Sequence, residues 1–139
     1  MIEVTQEFFR WTTKYSVGVP ELDEDHQILF ELINQLRVVV KSGQVSMLGP
    51  TVDDLQQYMI YHFRREEELM MIAEYEYLEN HKLVHRLMET RIQRFIDDPA
   101  NLNNMDSAVS LAAMIESWLK DHTLGMDRNY MDCLDGIQV

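Results

Sequence analysis

Four side chains between Tyr58 and His85 stand at spacings that suit metal binding. His62 and Glu66 are four residues apart, and so are His81 and His85. On an α-helix, residues i and i+4 stack one turn apart on one face, so each pair can reach a common point beside its helix. The apolar residues identify that face: Leu55, Met59, His62, Glu66 and Leu69 recur at intervals of three and four, as do Leu78, His81, His85, Met88, Ile92 and Phe95. Both pairs therefore point inward, where a helical pattern places Leu or Ile. A buried carboxylate without compensation is costly or neutralises, and a metal ion supplies compensation.

The remaining histidines repeat the theme. His26 shares a stripe with Leu29, Ile33, Leu36 and Val40, and His122 shares one with Leu111, Ile115 and Trp118, so that all five histidines occupy inward positions on four segments. Glu66 sits on its stripe, whereas Glu67 and Glu68 fall off it and read as solvated charge. Asp127 follows His122 by five residues. On an ideal helix that is a turn of about 500°, which leaves it roughly 140° from the histidine. A local distortion at Gly125, such as a one-residue bulge, would bring the carboxylate round.

Five imidazoles with one or two carboxylates exceed what one metal takes, so two metals are implied. Structural zinc favours thiolates, and Cys133 is the only cysteine. Calcium and magnesium prefer oxygen ligands. The mixed donor set suits iron, with manganese, cobalt and copper also chemically compatible.

The elements that must carry these residues are helical, and the expected class is all-α. Pro20 suits a first helical turn, with Glu21, Asp23, Glu24 and Asp25 at the positive end of the helix dipole, and a first helix is expected over about 21–41. Ser42-Gly43-Gln44 ends it, and Gly49-Pro50-Thr51 opens a second, over about 51–74, with Thr51 as the cap. A bend near Tyr75 to Leu78 leads into a third helix over about 78–97. Asp98-Pro99 breaks the chain, and Asn103, Asn104 or Asp106 caps a fourth helix over about 105–131. Four helices with short connections favour an up-down-up-down antiparallel four-helix bundle. Residues 1–20, with Phe8, Phe9, Trp11 and Tyr15, read as an irregular arm packed over the helix ends.

Length and composition bound the rest. With 139 residues, 46% of them apolar, the chain suits one domain with one core, and no run of residues is long enough for a membrane span. The net charge is −12, from 24 acidic and 12 basic residues, which disfavours nucleic acid and anionic membranes as partners. The N-terminus has neither a basic start nor an apolar signal core, so the expected location is cytoplasmic.

The order His26, then His62-Phe63-Arg64-Arg65-Glu66, then His81 to His85, then His122-Thr123-Leu124-Gly125-Met126-Asp127 resembles the hemerythrin family, and its bacterial branch most closely. Trp11, Tyr15-Ser16-Val17-Gly18-Val19 and Asp25-His26-Gln27 add to the resemblance, which runs from about Trp11 to Tyr130. It implies two iron ions, one held by His81, His85 and His122 and the other by His26 and His62. Glu66, Asp127 and a hydroxide or oxide would bridge them. It also implies reversible, non-enzymatic O2 binding at the single open coordination position. By position, Leu29, Phe63, Trp118, Leu119 and Thr123 would line the O2 pocket.

The family usually carries Ile where this chain has Thr123. The expected account is a hydroxyl bonded back to the Leu119 carbonyl; the alternative is a polar group offered to the O2 pocket. Other functions compete with the carrier. One is O2 or redox sensing through a separate protein partner, and another is peroxidase-like, catalase-like or iron-oxidising catalysis. The ligand positions lack the Glu-x-x-His motifs of ferritin-like oxidases, which favours holding O2 over activating it.

Overall fold

A computed structural model describes residues 10–127. Phe8 and Phe9 of the expected arm, residues 128–131 of the expected fourth helix, and Cys133 lie outside the described residues. Four helices, α1 (Pro20–Ser42), α2 (Leu48–Ile72), α3 (Leu78–Asp97) and α4 (Met105–His122), form an up-down-up-down antiparallel bundle, and a π-helical turn, Thr123–Asp127, continues α4. α1 packs on α2 and α4, and α2 packs on α3.

The ends of the helices follow local chemistry. Pro20 is the first residue of α1, a position where its missing N–H has no intrahelical acceptor to lose. Asp23 anchors the arm to this end: its carboxylate accepts from Ser16 Oγ at 2.5 Å and from the Val17 backbone N–H at 2.8 Å. Gly43 ends α1 in the left-handed region at φ 71°, which glycine adopts without a Cβ clash. α2 starts at Leu48 rather than Thr51, out of the short 3-10 turn Val45–Met47. Pro50 is tolerated inside that first turn because the first N–H groups of a helix are unpaired anyway. Thr51 is accordingly buried within the helix and caps nothing.

α2 closes with a Schellman arrangement, in which Tyr75 N–H bonds to Met70 O at 2.9 Å and Glu74 N–H to Met71 O at 3.1 Å. Glu74, not a glycine, takes the left-handed position at φ 56°. Of the three candidates for the α4 cap, Asn104 serves: its side chain accepts from Ser107 N–H at 3.1 Å.

The core has two parts. The larger cluster includes Leu29, Ile33, Leu36, Val52, Leu55, Met59, Phe63, Met88, Ile92, Ala108, Ile115 and Leu119. A smaller one consists of Val17, Leu22, Leu69 and Met70, with Val19, Tyr75 and Leu78 packed on it. In the described part of the arm, Val17 and Tyr15 are buried and Trp11 packs against the main core.

Candidate metal centre

The histidines lie between those two clusters. Along α1 the order is Leu22, His26, Leu29; along α2, Phe63, Glu66, Leu69; along α3, Leu78, His81, His85, Met88. Each of these three helices passes from one apolar layer through the polar one into the other. Water is therefore shut out on both sides, and His26, His62, His81, His85, Glu66 and Asp127 are each at most 1% exposed, with His122 at 5%.

The six residues singled out by spacing and Asp127, which the resemblance added, come together there in two overlapping groups. Glu66, His81, His85, His122 and Asp127 form one; His26, His62, Glu66 and Asp127 form the other, with donor atoms in each group within 4.8 Å of one another. The two carboxylates belong to both. Asp127 divides its oxygens between the groups: Oδ1 lies 2.9 Å from His122 Nε2 and 3.3 Å from His81 Nε2, and Oδ2 lies 3.3 Å from His26 Nε2. Glu66 Oε1 is 3.2 Å from His62 Nε2 and 3.4 Å from His85 Nε2, and Oε2 is 3.9 Å from His26 Nε2.

The π-helical turn is what brings Asp127 into position. An α-helical continuation would carry it away from His122, and the wider turn Thr123–Asp127 returns its carboxylate to the centre.

Two further carboxylates orient the imidazoles, and spacing gave no hint of them. Asp25, read from the sequence as a helix-dipole charge, is buried and lies 3.0 Å from His62 Nδ1 through Oδ2, while its Oδ1 accepts from Tyr58 OH at 3.1 Å. Arg65 stands 3.5 Å away. Glu67, read as solvated charge, is 5% exposed and lies 2.7 Å from His85 Nδ1. Arg86 donates to its other oxygen, and Arg86 and Arg64 share Glu89. An off-stripe residue faces the neighbouring helix instead of the core, and here the neighbour presents an imidazole edge. A carboxylate on Nδ1 fixes the tautomer and aims Nε2 inward. The readable signal was a carboxylate directly adjoining a candidate ligand, at Asp25-His26 and Glu66-Glu67.

Aromatic rings hold the other faces. Phe63 stacks on His85 with centroids 3.9 Å apart and planes at 4°, and Trp118 stacks on His122 at 4.4 Å and 11°. Leu29, Phe63, Leu119 and Thr123 are buried and Trp118 half-buried. Thr123 departs from the expectation of an intrahelical bond. Among the described residues its hydroxyl has no acceptor; the Thr123 backbone N–H bonds to the Leu119 and Lys120 carbonyls.

Charge balance reinforces the geometry. Burial opposes protonation of His62, but Glu66, Asp25 and Asp127 outweigh it and push its pKa up to about 10. Burial likewise opposes ionisation of Glu66 and Asp127, yet His62 and His85 hold the first, and His122, His26 and His81 the second, well below the usual carboxylate range. Burial is also outweighed at Asp25, by His62, Arg65 and Tyr58, and at Glu67, by His85 and Arg86, so both titrate below their ordinary values. Among the described residues, the buried His26 nitrogens, His62 Nε2 and both Asp127 oxygens have no conventional hydrogen-bond partner, only the close ion-pair contacts given above. Closely set, dehydrated donors of this kind match what a cation needs.

A helical bundle with five inward imidazoles and two shared carboxylates defines a metal-binding bundle of the non-haem type. The family description "Hemerythrin HHE cation binding domain" matches residues 17–134, and the chain belongs to the hemerythrin family. It is 31% identical over 123 residues to a bacteriohemerythrin of Stenotrophomonas maltophilia (strain R551-3), covering 88% of this chain and 78% of that one. It is 29% identical over 126 residues to a hemerythrin-like protein of Naegleria gruberi, covering 91% and 93%. The crystal structure of wild-type hemerythrin superposes with a TM-score of 0.83 at 24% identity, over 92% of this chain and 98% of that one. Family and cluster together make this a hemerythrin-type iron-binding protein.

Proposed function

We propose that the chain acts as one hemerythrin-like domain in the cytoplasm and binds O2 reversibly, for storage, delivery or scavenging, at two iron ions. His81, His85 and His122 hold one ion and His26 and His62 the other, with Glu66, Asp127 and a hydroxide or oxide as bridges. The observation that carries this reading is the pair of donor groups that share both carboxylates, since shared carboxylates are what a two-metal centre requires. Iron, when bound, supplies the redox-active centre that reversible O2 binding needs.

The chain's own residues supply the remainder. Asp25 and Glu67 hold His62 and His85 with Nε2 directed at the centre. The apolar layers on either side keep out bulk water, which would compete for an open position and promote loss of the ligand. Leu29, Phe63, Trp118 and Leu119 contribute to that barrier beside the histidines. Among the described residues, the buried imidazoles at the centre face carboxylates or one another.

Metal analysis with absorption spectroscopy tests the proposal. Iron-supplied protein should contain two irons per chain and show charge-transfer bands in air that vanish and return through repeated vacuum cycles. One iron per chain, or bands that bleach once and do not return, would overturn it.

A further inference from the structure

We propose that Tyr58 is a positioning residue for the two-histidine metal position: its hydroxyl fixes the Asp25 carboxylate, which in turn aims His62 Nε2 at the centre. This rests on the two-iron reading. Tyr58 and His62 are four residues apart on α2, so they project from one face a turn apart. Asp25 comes from α1 and meets both at once. Its Oδ1 accepts from Tyr58 OH at 3.1 Å, and its Oδ2 lies 3.0 Å from His62 Nδ1.

A carboxylate held at one oxygen can still swing about its Cβ–Cγ bond; held at both, its plane is set. The direction of the His62 Nδ1 contact is then set too, and with it the opposite ring nitrogen. Burial and the Asp25 charge push the Tyr58 phenol well above its ordinary pKa, which keeps the hydroxyl a donor. Arg65 also reaches Oδ1, but at 3.5 Å, and its side chain is 27% exposed against 4% for Asp25. The same guanidinium donates to Tyr61 OH at 3.4 Å. A longer contact from a more exposed group is screened, so it does not replace the hydroxyl. Glu67, at the other metal position, is held instead between His85 Nδ1 and the Arg86 guanidinium. Loss of the Tyr58 hydroxyl should therefore touch one metal position and spare the other.

Chelator competition on iron-loaded protein tests this. Tyr58→Phe, which keeps the ring and removes the hydroxyl, should hold one of its two irons about three- to tenfold more weakly than the wild type and the other equally well. Added to Asp25→Asn it should cause no further loss, because the carboxylate it acts through is gone; added to Glu67→Gln its full effect should remain. The second readout needs no metal. In metal-free protein, the His62 Nδ1–H resonance should exchange with solvent faster in Tyr58→Phe, with the His85 resonance unchanged. Undiminished iron retention in Tyr58→Phe overturns the proposal, as does an equal further loss in the Asp25→Asn background. So does an unchanged His62 exchange rate, or a change shared by His85, which would show the hydroxyl serving the bundle at large. A wild type that takes up no iron pair would instead overturn the two-iron reading, and the metal-free exchange rates would still decide whether Tyr58 fixes the imidazole.

Discussion

At one end of the bundle, Ile33, Leu36, Val52, Leu55, Ile92 and Ala108 fill the space between the helices. Toward the other, the same inward stripes carry five imidazoles and Glu66, and the π-helical turn adds Asp127. The apolar end is complete as it stands, because close packing and exclusion from water need no further component. The polar end is buried as deeply, but its electrostatic balance is local, and cations held by its donor groups would complete it. The contrast expected is between a region that stabilises itself and one whose stability rises with what it binds.

Substitutions at the two ends should separate these contributions. Leu36→Ala should cost about 2–5 kcal/mol in both iron-loaded and metal-free protein, leaving the difference between the two states intact. His81→Leu should abolish most of that difference. Chemical denaturation of each variant with and without iron measures it, and an undiminished iron-dependent increment in His81→Leu would break the contrast.

Within the polar end, Asp25 and Glu67 support opposite groups. Asp25→Asn should weaken iron retention at the two-histidine position and Glu67→Gln at the three-histidine position, each by about ten- to a hundredfold. Competition with a graded chelator, followed by metal analysis, should find variants that keep one iron where the wild type keeps two. Equal retention of both ions would reduce these carboxylates to packing roles.

The smallest expected effect is a proton count. Because the metal-free His62 pKa is raised to about 10, its contribution to metal-free stability is fully present below an ordinary value of about 6.5 and is lost as pH rises through about 10. Iron must displace that proton, so anaerobic addition of ferrous iron slightly above neutral pH should acidify a weakly buffered solution. The cost of Leu36→Ala should not vary over the same pH range. Absence of proton release would show that the imidazole is already neutral.

The stripes were legible in the sequence because a helix repeats every 3.6 residues, and that periodicity placed His26, His62, Glu66, His81, His85 and His122 on inward faces. Other features were not legible. The start of α2 at Leu48 depended on a preceding 3-10 turn. The arm's attachment depended on Asp23 meeting Ser16 and Val17. Glu67 differs locally from its solvated neighbour Glu68 only in adjoining Glu66, and the presence of α3 opposite makes it a partner of His85.

The amino-acid order alone determined that the chain is helical, that its helices have one inward face each, and that the face at one end is rich in metal-binding donors. Such properties are periodic and local, so short-range pattern encodes them. Only the tertiary structure decided that α4 ends in a π-helical turn carrying Asp127 to His26, His81 and His122. It alone also decided that Asp25 and Glu67 face imidazole edges and that the Thr123 hydroxyl has no acceptor. The contacts of Asp25, Glu67 and Asp127 depend on where neighbouring helices lie, which no single helix specifies.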